Sequence, residues 1–266
     1  MPEITYDPVS NHVRLLTMNR PETLNSLSPE GAQMQRQALQ EFREDDDAWI
    51  LIITGAGERS FSTGADLRAR AEQYSREGAQ PPPQPQVPPQ GVHGYPTLEL
   101  WKPVIAAVNG YALGGGLELA LWCDIRLASE NAELGMLEAR RGSLSTSCIT
   151  RLVRTIPLGL AMEMMLTARR YSAQEAYRMG LVSKVVPREE LMPTAVAWAD
   201  EIVTECAPMS TRFTKELVAR TLHMPVRDAL QFQFLFNQRL RTIAPEDALE
   251  GPRAFTERRK PQWKCR

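Results

Sequence analysis

The stretch VNGYALGGGLELALWCDIRLAS, residues 108–129, decides how this chain folds. A short β-branched run at 104–110 leads into it and closes in Asn-Gly, and good helix formers follow the three glycines. The stretch therefore predicts a strand, a tight turn and a helix, with Glu118 in the first helical turn. Consecutive glycines serve where a backbone turns sharply or approaches another group closely. The N–H groups that begin a helix attract negative charge, so the turn is a candidate site for an oxyanion. Close packing of a helix start against a strand is the plainer alternative.

The alternation of strand and helix extends to both sides of this stretch. Apolar, β-branched runs predict strands at 12–19, 49–55 and 124–129. Between the first two, Ser28 followed by Pro29 is an N-cap signature, and apolar residues then recur at helical spacing. Such alternation predicts an α/β core.

The second half of the chain is richer in helical patterns. From about residue 151 the strand signals thin out, apart from one at 181–186, and Ser172 with Glu175 predicts a capping box. An apolar helical stripe follows, which indicates packing in the core or between subunits. Its members are Leu191, Ala195, Trp198 and Ile202.

The segment after the first glycine-punctuated loop combines a helical pattern with a proline-rich run. Residues 66–78 predict a helix, whereas the prolines at 81–89 exclude an ordered helix or a central strand. We predict a mobile loop at 78–94. A solvated excursion is the simpler role for it, and a lid over a pocket is the alternative.

Composition narrows the class of protein. The chain has 266 residues, 43% of them hydrophobic, and 31 basic residues against 32 acidic ones, so no global attraction to nucleic acid or to an anionic membrane is expected. Its four cysteines form no C-x-x-C pair and its three histidines are scattered, so we expect neither a metal site nor a disulfide framework. With no presequence pattern and no apolar window long enough to span a membrane, we predict a soluble, cytoplasmic protein.

Five segments in order resemble the crotonase superfamily, the enoyl-CoA hydratase and isomerase family. The likeness covers nearly the whole chain, and any one segment would be weak by itself. The segments are LNSLS at 24–28, FSTGADL at 61–67, VNGYALGGGLELALWCDIRLAS at 108–129, YSAQEAYRMGLVSKVVPREEL at 171–191 and EGPRAFTERRKPQW at 250–263.

The resemblance implies a fold and an assembly. Residues 1–190 would form an α/β spiral of repeated β-β-α units, and residues 191–266 a C-terminal helical trimerisation region. Homotrimers, or hexamers built as dimers of trimers, would follow.

The resemblance also implies an acyl-CoA substrate, with coenzyme A as part of that substrate and no separate cofactor. Two backbone N–H groups, matching Ala65 and Gly115, would form the oxyanion hole for the thioester oxygen. Coenzyme A and substrate would lie along two backbone segments and the glycine turn. The matching residues are Leu24, Ser26, Thr63, Gly64, Asp66, Leu67 and Gly114.

Two glutamates match those of the hydratase branch, namely Glu118 and Glu138. Addition of water across a 2-enoyl thioester needs a base that activates water at C3 and an acid that protonates C2. We assign the first role to Glu118 and the second to Glu138, as expected of an enoyl-CoA hydratase in fatty acid metabolism such as β-oxidation. From spacing alone, Glu138 could equally be a solvated charge paired with Arg140 or Arg141.

One departure from the family pattern concerns the acyl group. Hydratases continue after the second glutamate into a turn rich in proline and glycine, whereas this chain reads RRGSLSTSCITRL at 140–152. The acyl chain of the substrate therefore stays open. Alternatives that keep the fold are an enoyl-CoA isomerase, another acyl-CoA lyase of the superfamily, or a non-catalytic acyl-CoA- or RNA-binding member.

Overall fold

The computed structural model describes residues 1–68, 71–72, 99–144 and 148–266, and these residues form two sheets. The larger sheet has six strands: β1 (Ile4–Ser10), β2 (Val13–Met18), β3 (Ile50–Gly55), β5 (Val104–Val108), β7 (Ile125–Ser129) and β10 (Lys184–Val186). They lie in the order β1-β2-β3-β5-β7-β10; β1 runs antiparallel to β2, and every other neighbouring pair is parallel.

A smaller four-stranded sheet lies alongside in the order β4-β6-β8-β9. The chain passes from the large sheet to the small one three times in the same way, from β3 to β4, from β5 to β6 and from β7 to β8. The fourth strand, β9, is antiparallel to β8. The small-sheet strands are β4 (Ser60–Ser62), β6 (Tyr111–Leu113), β8 (Glu133–Gly135) and β9 (Arg170–Ser172).

Helices complete the repeat and then dominate the C-terminal part. With α2, the pair β5 and β6 makes one strand-strand-helix unit, as the family resemblance implies. The helices are α1 (Pro29–Glu44), α2 (Gly115–Trp122), α3 (Cys148–Thr155), α4 (Leu158–Thr167), α5 (Ala173–Arg178), α6 (Leu191–Glu205), α7 (Pro208–Thr221), α8 (Val226–Ile243) and α9 (Pro245–Glu257). None of the helices in the described ranges is both long and apolar enough to cross a membrane.

The large sheet is buried on both faces, and β3 shows why. Its residues alternate between two apolar clusters because successive side chains of a strand point to opposite faces. Leu51 and Ile53 belong to the cluster shared with α1, α2 and the small sheet, whereas Ile50 and Ile52 belong to the one covered by α6. A strand buried on both faces is a continuous apolar run, which is the pattern of ILIITG.

The stripe predicted at 191–202 is the face that α6 lays on the sheet. Leu191 and Ala195 are buried, and Trp198 and Ile202 pack against the same cluster while remaining partly exposed. The first helix of the C-terminal region therefore covers the core sheet. The division of the chain at residue 190 stays a prediction.

Most other local predictions are confirmed. The Ser28 hydroxyl accepts the N–H of Gly31 at 2.9 Å, and Ser172 with Glu175 forms the complete capping box. The run predicted as a strand at 181–186 is extended only in β10. The sequence patterns missed β1, whose sequence ITYDPVS is interrupted by Asp7 and Pro8. They also missed the strands of the small sheet, because three residues are too few to display a period of two. The predicted loop at 78–94, and residues 69–70 and 73–78 of the predicted helix, lie outside the described residues.

Candidate active site

The first wall of the site is a loop held in an uncommon backbone conformation. Leu24 and Asn25 have φ values of 58° and 54°, in the left-handed region that costs a non-glycine residue energy. The buried Asn25 amide stabilises this turn by donating to the carbonyls of Ser60 at 2.6 Å and Ala56 at 3.0 Å. The loop is thereby fixed to β4.

This loop lies beside the segment predicted to carry one oxyanion donor. Leu27 donates to the Gly64 carbonyl at 2.8 Å, and its own carbonyl accepts from Asp66 at 3.0 Å. Because backbone groups alternate in direction along an extended segment, the N–H of Ala65 between them points away from Leu27. Within the described ranges, no residue accepts a hydrogen bond from that N–H.

The second wall is the glycine turn itself. Gly114 has φ 55° and ψ −122°, which side chains rarely adopt, and its N–H donates to Gly135 at 2.9 Å. Helix α2 begins at Gly115, so the N–H of this residue lies in the first turn, where no intrahelical partner exists. Nor does it donate to any other residue of the described chain.

The N–H groups of Ala65 and Gly115 are brought together by direct backbone contact. A Cβ on Gly115 would lie 3.0 Å from the Cα of Gly64 and 3.7 Å from the nitrogen of Ala65. One step further, a Cβ on Gly116 would lie 1.9 Å from the carbonyl oxygen of Ser62. The glycine triplet therefore lets helix α2 begin directly against the end of β4 and the Gly64–Ala65 segment that follows it. The same glycines would also let a ligand approach the backbone.

Glu118 lies in the first turn of α2, as predicted, and is only 4% exposed. Its N–H donates to the Gly114 carbonyl at 3.0 Å, and its Oε1 accepts the N–H of Cys148 at 3.2 Å. A carboxylate this deeply buried requires such donors, because the interior penalises an uncompensated charge.

Glu138 begins the turn of 3-10 helix at Glu138–Arg141 that follows β8. Its Oε1 would lie 3.2 Å from a Cβ placed on Gly114, so the carboxyl lies directly beside the glycine turn. Its Oε2 is buried and has no hydrogen-bond partner among the described residues. Burial, and secondarily the charge of Glu118, raise the pKa of Glu138, so its protonated form is favoured relative to an ordinary glutamate.

The ion pair of Glu138 with Arg140 or Arg141, which the spacing alone allows, does not form among these three described residues. Arg140 and Arg141 are exposed, and in the part of the chain that the structure describes neither forms an ion pair with Glu138. Arg140 instead places its Nη2 3.5 Å from the carbonyl of Thr167.

The two segments predicted to contact coenzyme A are neighbours. Thr63 donates its hydroxyl to the Leu24 carbonyl at 3.3 Å. Arg20 joins the same segments, because its Nη1 reaches the Ser26 carbonyl at 3.1 Å and the Asp66 carboxylate at 3.3 Å. Leu67 is 42% exposed.

Sequence reasoning missed the structural supports of this site. Cys148 contacts Glu118 through its main chain, and nothing in its side chain signals that contact. Asn25 could have been found, since asparagine is the residue other than glycine that best tolerates the left-handed region. Among the described residues, no group of three or more His, Cys, Asp and Glu side chains is gathered as a metal ion would require.

The two sheets, the paired backbone donors and the two glutamates together define an enzyme of the crotonase type. The profile of the enoyl-CoA hydratase/isomerase family matches residues 9–266. The chain is 41% identical over 264 residues to (E)-benzylidenesuccinyl-CoA hydratase of Thauera aromatica, covering 96% of this chain and 97% of that protein. It is 39% identical over 255 residues to carnitinyl-CoA dehydratase of Salmonella typhi, covering 94% of each.

A solved structure agrees with these relatives. Enoyl-CoA hydratase from Bacillus anthracis is similar with a TM-score of 0.88 and 35% sequence identity, over 99% of this chain and 100% of that one. The chain belongs to the enoyl-CoA hydratase/isomerase family, within the crotonase superfamily, and is an enzyme of the hydro-lyase type.

Proposed function

We propose that this protein is an enoyl-CoA hydratase that adds water reversibly, with syn stereochemistry, to a 2-enoyl-CoA thioester and forms a 3-hydroxyacyl-CoA. The observation that carries the proposal is the position of two carboxyl groups, one accepting an N–H and one with a raised pKa, beside two backbone N–H groups that no described residue occupies. Hydration needs a base, an acid and an oxyanion hole, and these groups supply all three.

The oxyanion hole acts first in this mechanism. The N–H groups of Ala65 and Gly115 bind the thioester oxygen and stabilise the enolate as negative charge develops on it. Because the donors are held in place beforehand by the Gly64–Gly115 contact, no reorganisation is needed during the reaction. By analogy with measured oxyanion holes, each such donor contributes about 3 kcal/mol in the transition state.

The two glutamates divide the transfer of water. Glu118 accepts a proton from the water molecule as its oxygen attacks C3, and Glu138 delivers a proton to C2 of the enolate. The raised pKa of Glu138 suits it to the acid role. In the dehydration direction the two residues exchange roles.

Substrate binding follows the two neighbouring segments. We infer that coenzyme A lies along Leu24–Ser26 and Thr63–Leu67, with Gly114 beside the reacting carbons. The relatives act on benzylidenesuccinyl-CoA and carnitinyl-CoA, which their names describe, so a polar or bulky acyl group fits the unusual 140–152 segment better than a simple straight chain. Cytoplasmic location and a role in β-oxidation stay predictions.

The first test is the loss of enoyl-thioester absorbance with crotonyl-CoA and with a 3-aryl enoyl-CoA. Glu118→Gln and Glu138→Gln should each lower kcat by about 10²–10⁴-fold, the usual contribution of a positioned acid or base. Glu133→Gln, which alters an exposed ion pair with Arg170 on β8 and β9, is the matched control and should keep wild-type activity.

Product analysis separates hydration from the isomerase alternative. Incorporation of ¹⁸O from labelled water into a 3-hydroxyacyl-CoA supports hydration. A 3-enoyl product without ¹⁸O would replace the proposal by isomerisation. Binding of the thioester without turnover, equal in wild type and both glutamate variants, would reduce it to acyl-CoA binding.

A further inference from the structure

The contact between Glu118 and Cys148 joins two helices at the reacting centre. The main-chain N–H of Cys148, the first residue of α3, donates to Glu118 Oε1 at 3.2 Å. The Cys148 side chain is completely buried. The first N–H groups of a helix have no intrahelical acceptor, so this one is available to a carboxylate without cost to α3.

Three nearby side chains interact with Glu118 through charge, namely those of Glu138, Cys148 and Arg151. The main-chain donor differs from these three groups in kind. The N–H of Cys148 cannot titrate and cannot move away as a long side chain can. A hydrogen bond from a helix N-terminus to a carboxylate is among the stronger protein hydrogen bonds.

We propose that Cys148 is a positioning residue, whose main-chain N–H orients the carboxyl group of Glu118 toward the water that it activates. The kinetic consequence rests on the proposed hydration chemistry, but the bond itself does not. The residue at position 148 thus contributes through its backbone, and this role requires no chemistry from the thiol.

A substrate-free test uses the small number of cysteines. Labelling with ¹⁵N-cysteine gives four amide signals, from Cys123, Cys148, Cys206 and Cys265. The signal lost in Cys148→Ala identifies Cys148. Its proton shift should change with pH in a step that disappears in Glu118→Gln and persists in Glu138→Gln. An unchanged titration in Glu118→Gln overturns the proposal.

The kinetic test compares two substitutions at one position. Alanine keeps the N–H, whereas proline removes it and is tolerated sterically at the first position of a helix. Cys148→Pro should have a kcat about tenfold below that of Cys148→Ala, with a smaller change in KM, as expected for the loss of one hydrogen bond to a charged group.

The outcomes separate the two proposals. Equal kcat in the alanine and proline variants would overturn the positioning role. Where the proline variant fails to fold, as circular dichroism would reveal, the amide titration alone decides. If wild type hydrates no enoyl-CoA while the Cys148 amide still follows Glu118, the proposed function fails and the inferred bond stands.

Discussion

Gly116 is the residue at which the backbone of α2 comes closest to β4, at Ser62. The other two glycines of the triplet meet different demands, since Gly114 needs a positive φ and Gly115 abuts Gly64. A side chain at Gly115 or Gly116 would push α2 away from Ser62 and Gly64, and so would separate the two proposed oxyanion donors. Steric exclusion at single residues is therefore the physical origin of the proposed oxyanion hole.

Gly116→Ala should destabilise the protein and lower kcat together. Its Cβ would lie 1.9 Å from the backbone carbonyl of Ser62, which cannot give way as a flexible side chain can. We expect the free energy of unfolding in urea to fall by about 1–3 kcal/mol, typical of overpacking. Gly159→Ala is the control: nothing lies within 4 Å of the added Cβ in α4, so it should stabilise by about 0.4–1 kcal/mol. A neutral Gly116→Ala would contradict the close approach.

Glu138→Gln should stabilise the protein while it removes activity. Burial raises the pKa of Glu138 in the folded state, so ionising this group lowers the free energy of unfolding. The protein is therefore more stable at low pH, where Glu138 is protonated, and loses that stability as pH rises. Glutamine stays neutral, so the urea midpoint of the variant should match wild type at pH 4 and exceed it at pH 8. Glu133→Gln should show no such gain. A variant less stable than wild type at pH 8 would contradict the raised pKa of Glu138.

At the level of elements, Lys102 connects the start of β5 with the end of α1. It is 5% exposed, and its ammonium donates to the carbonyls of Phe42 at 2.6 Å and Asp45 at 2.5 Å. The last carbonyls of a helix lack intrahelical donors and carry the negative end of the helix dipole. Helix α1 is thus attached to the large sheet through one buried cation.

The Lys102 contact predicts a pH-dependent stability. Burial is the main cause that lowers the pKa of Lys102 to about 8, so the unfolded chain binds more protons than the folded one between pH 8 and 10.5. The stability of wild type relative to Lys102→Met should therefore rise with pH across that window. Lys184→Met, at an exposed position of β10, should leave the difference from wild type flat. A difference that falls with pH would exclude the lowered pKa.

At the level of the whole molecule, the C-terminal helices leave an apolar stripe uncovered. On α8, Val226, Leu230 and Phe234 recur every four residues and are 76%, 60% and 62% exposed. Single exposed apolar residues are ordinary, but a continuous stripe indicates an interface. This stripe supports the predicted trimer or hexamer.

Light scattering after size exclusion tests the assembly. Wild type should elute with three or six times the mass of one chain. The double substitution Leu230→Asp and Phe234→Asp should release smaller species, because two carboxylates in an apolar interface would lose their hydration. Val9→Asp, at an exposed position on β1, should keep the assembly. Monomeric wild type would remove the assembly from the proposal.

Short-range sequence patterns predict some of the helices, caps and strands of this protein and miss others. Strand β3, the Ser28 cap of α1 and the capping box at Ser172 are all determined by neighbouring residues, and each was predictable. The three-residue strands of the small sheet were not, since their pairing partners supply the order that three residues cannot. The repetition of strand-strand-helix units came from the family resemblance and agrees with the topology.

The sequence by itself determined the α/β alternation, the glycine turn and the place of Glu118 in the first turn of a helix, because these depend on residues within a few positions of one another. Only the tertiary structure decided that Gly64 meets Gly115, that the carboxyl group of the half-buried Glu138 lies beside Gly114, and that the Cys148 N–H reaches Glu118. Each of these contacts joins segments 24 to 51 residues apart. Their energies depend on desolvation and on backbone direction, which no local pattern encodes.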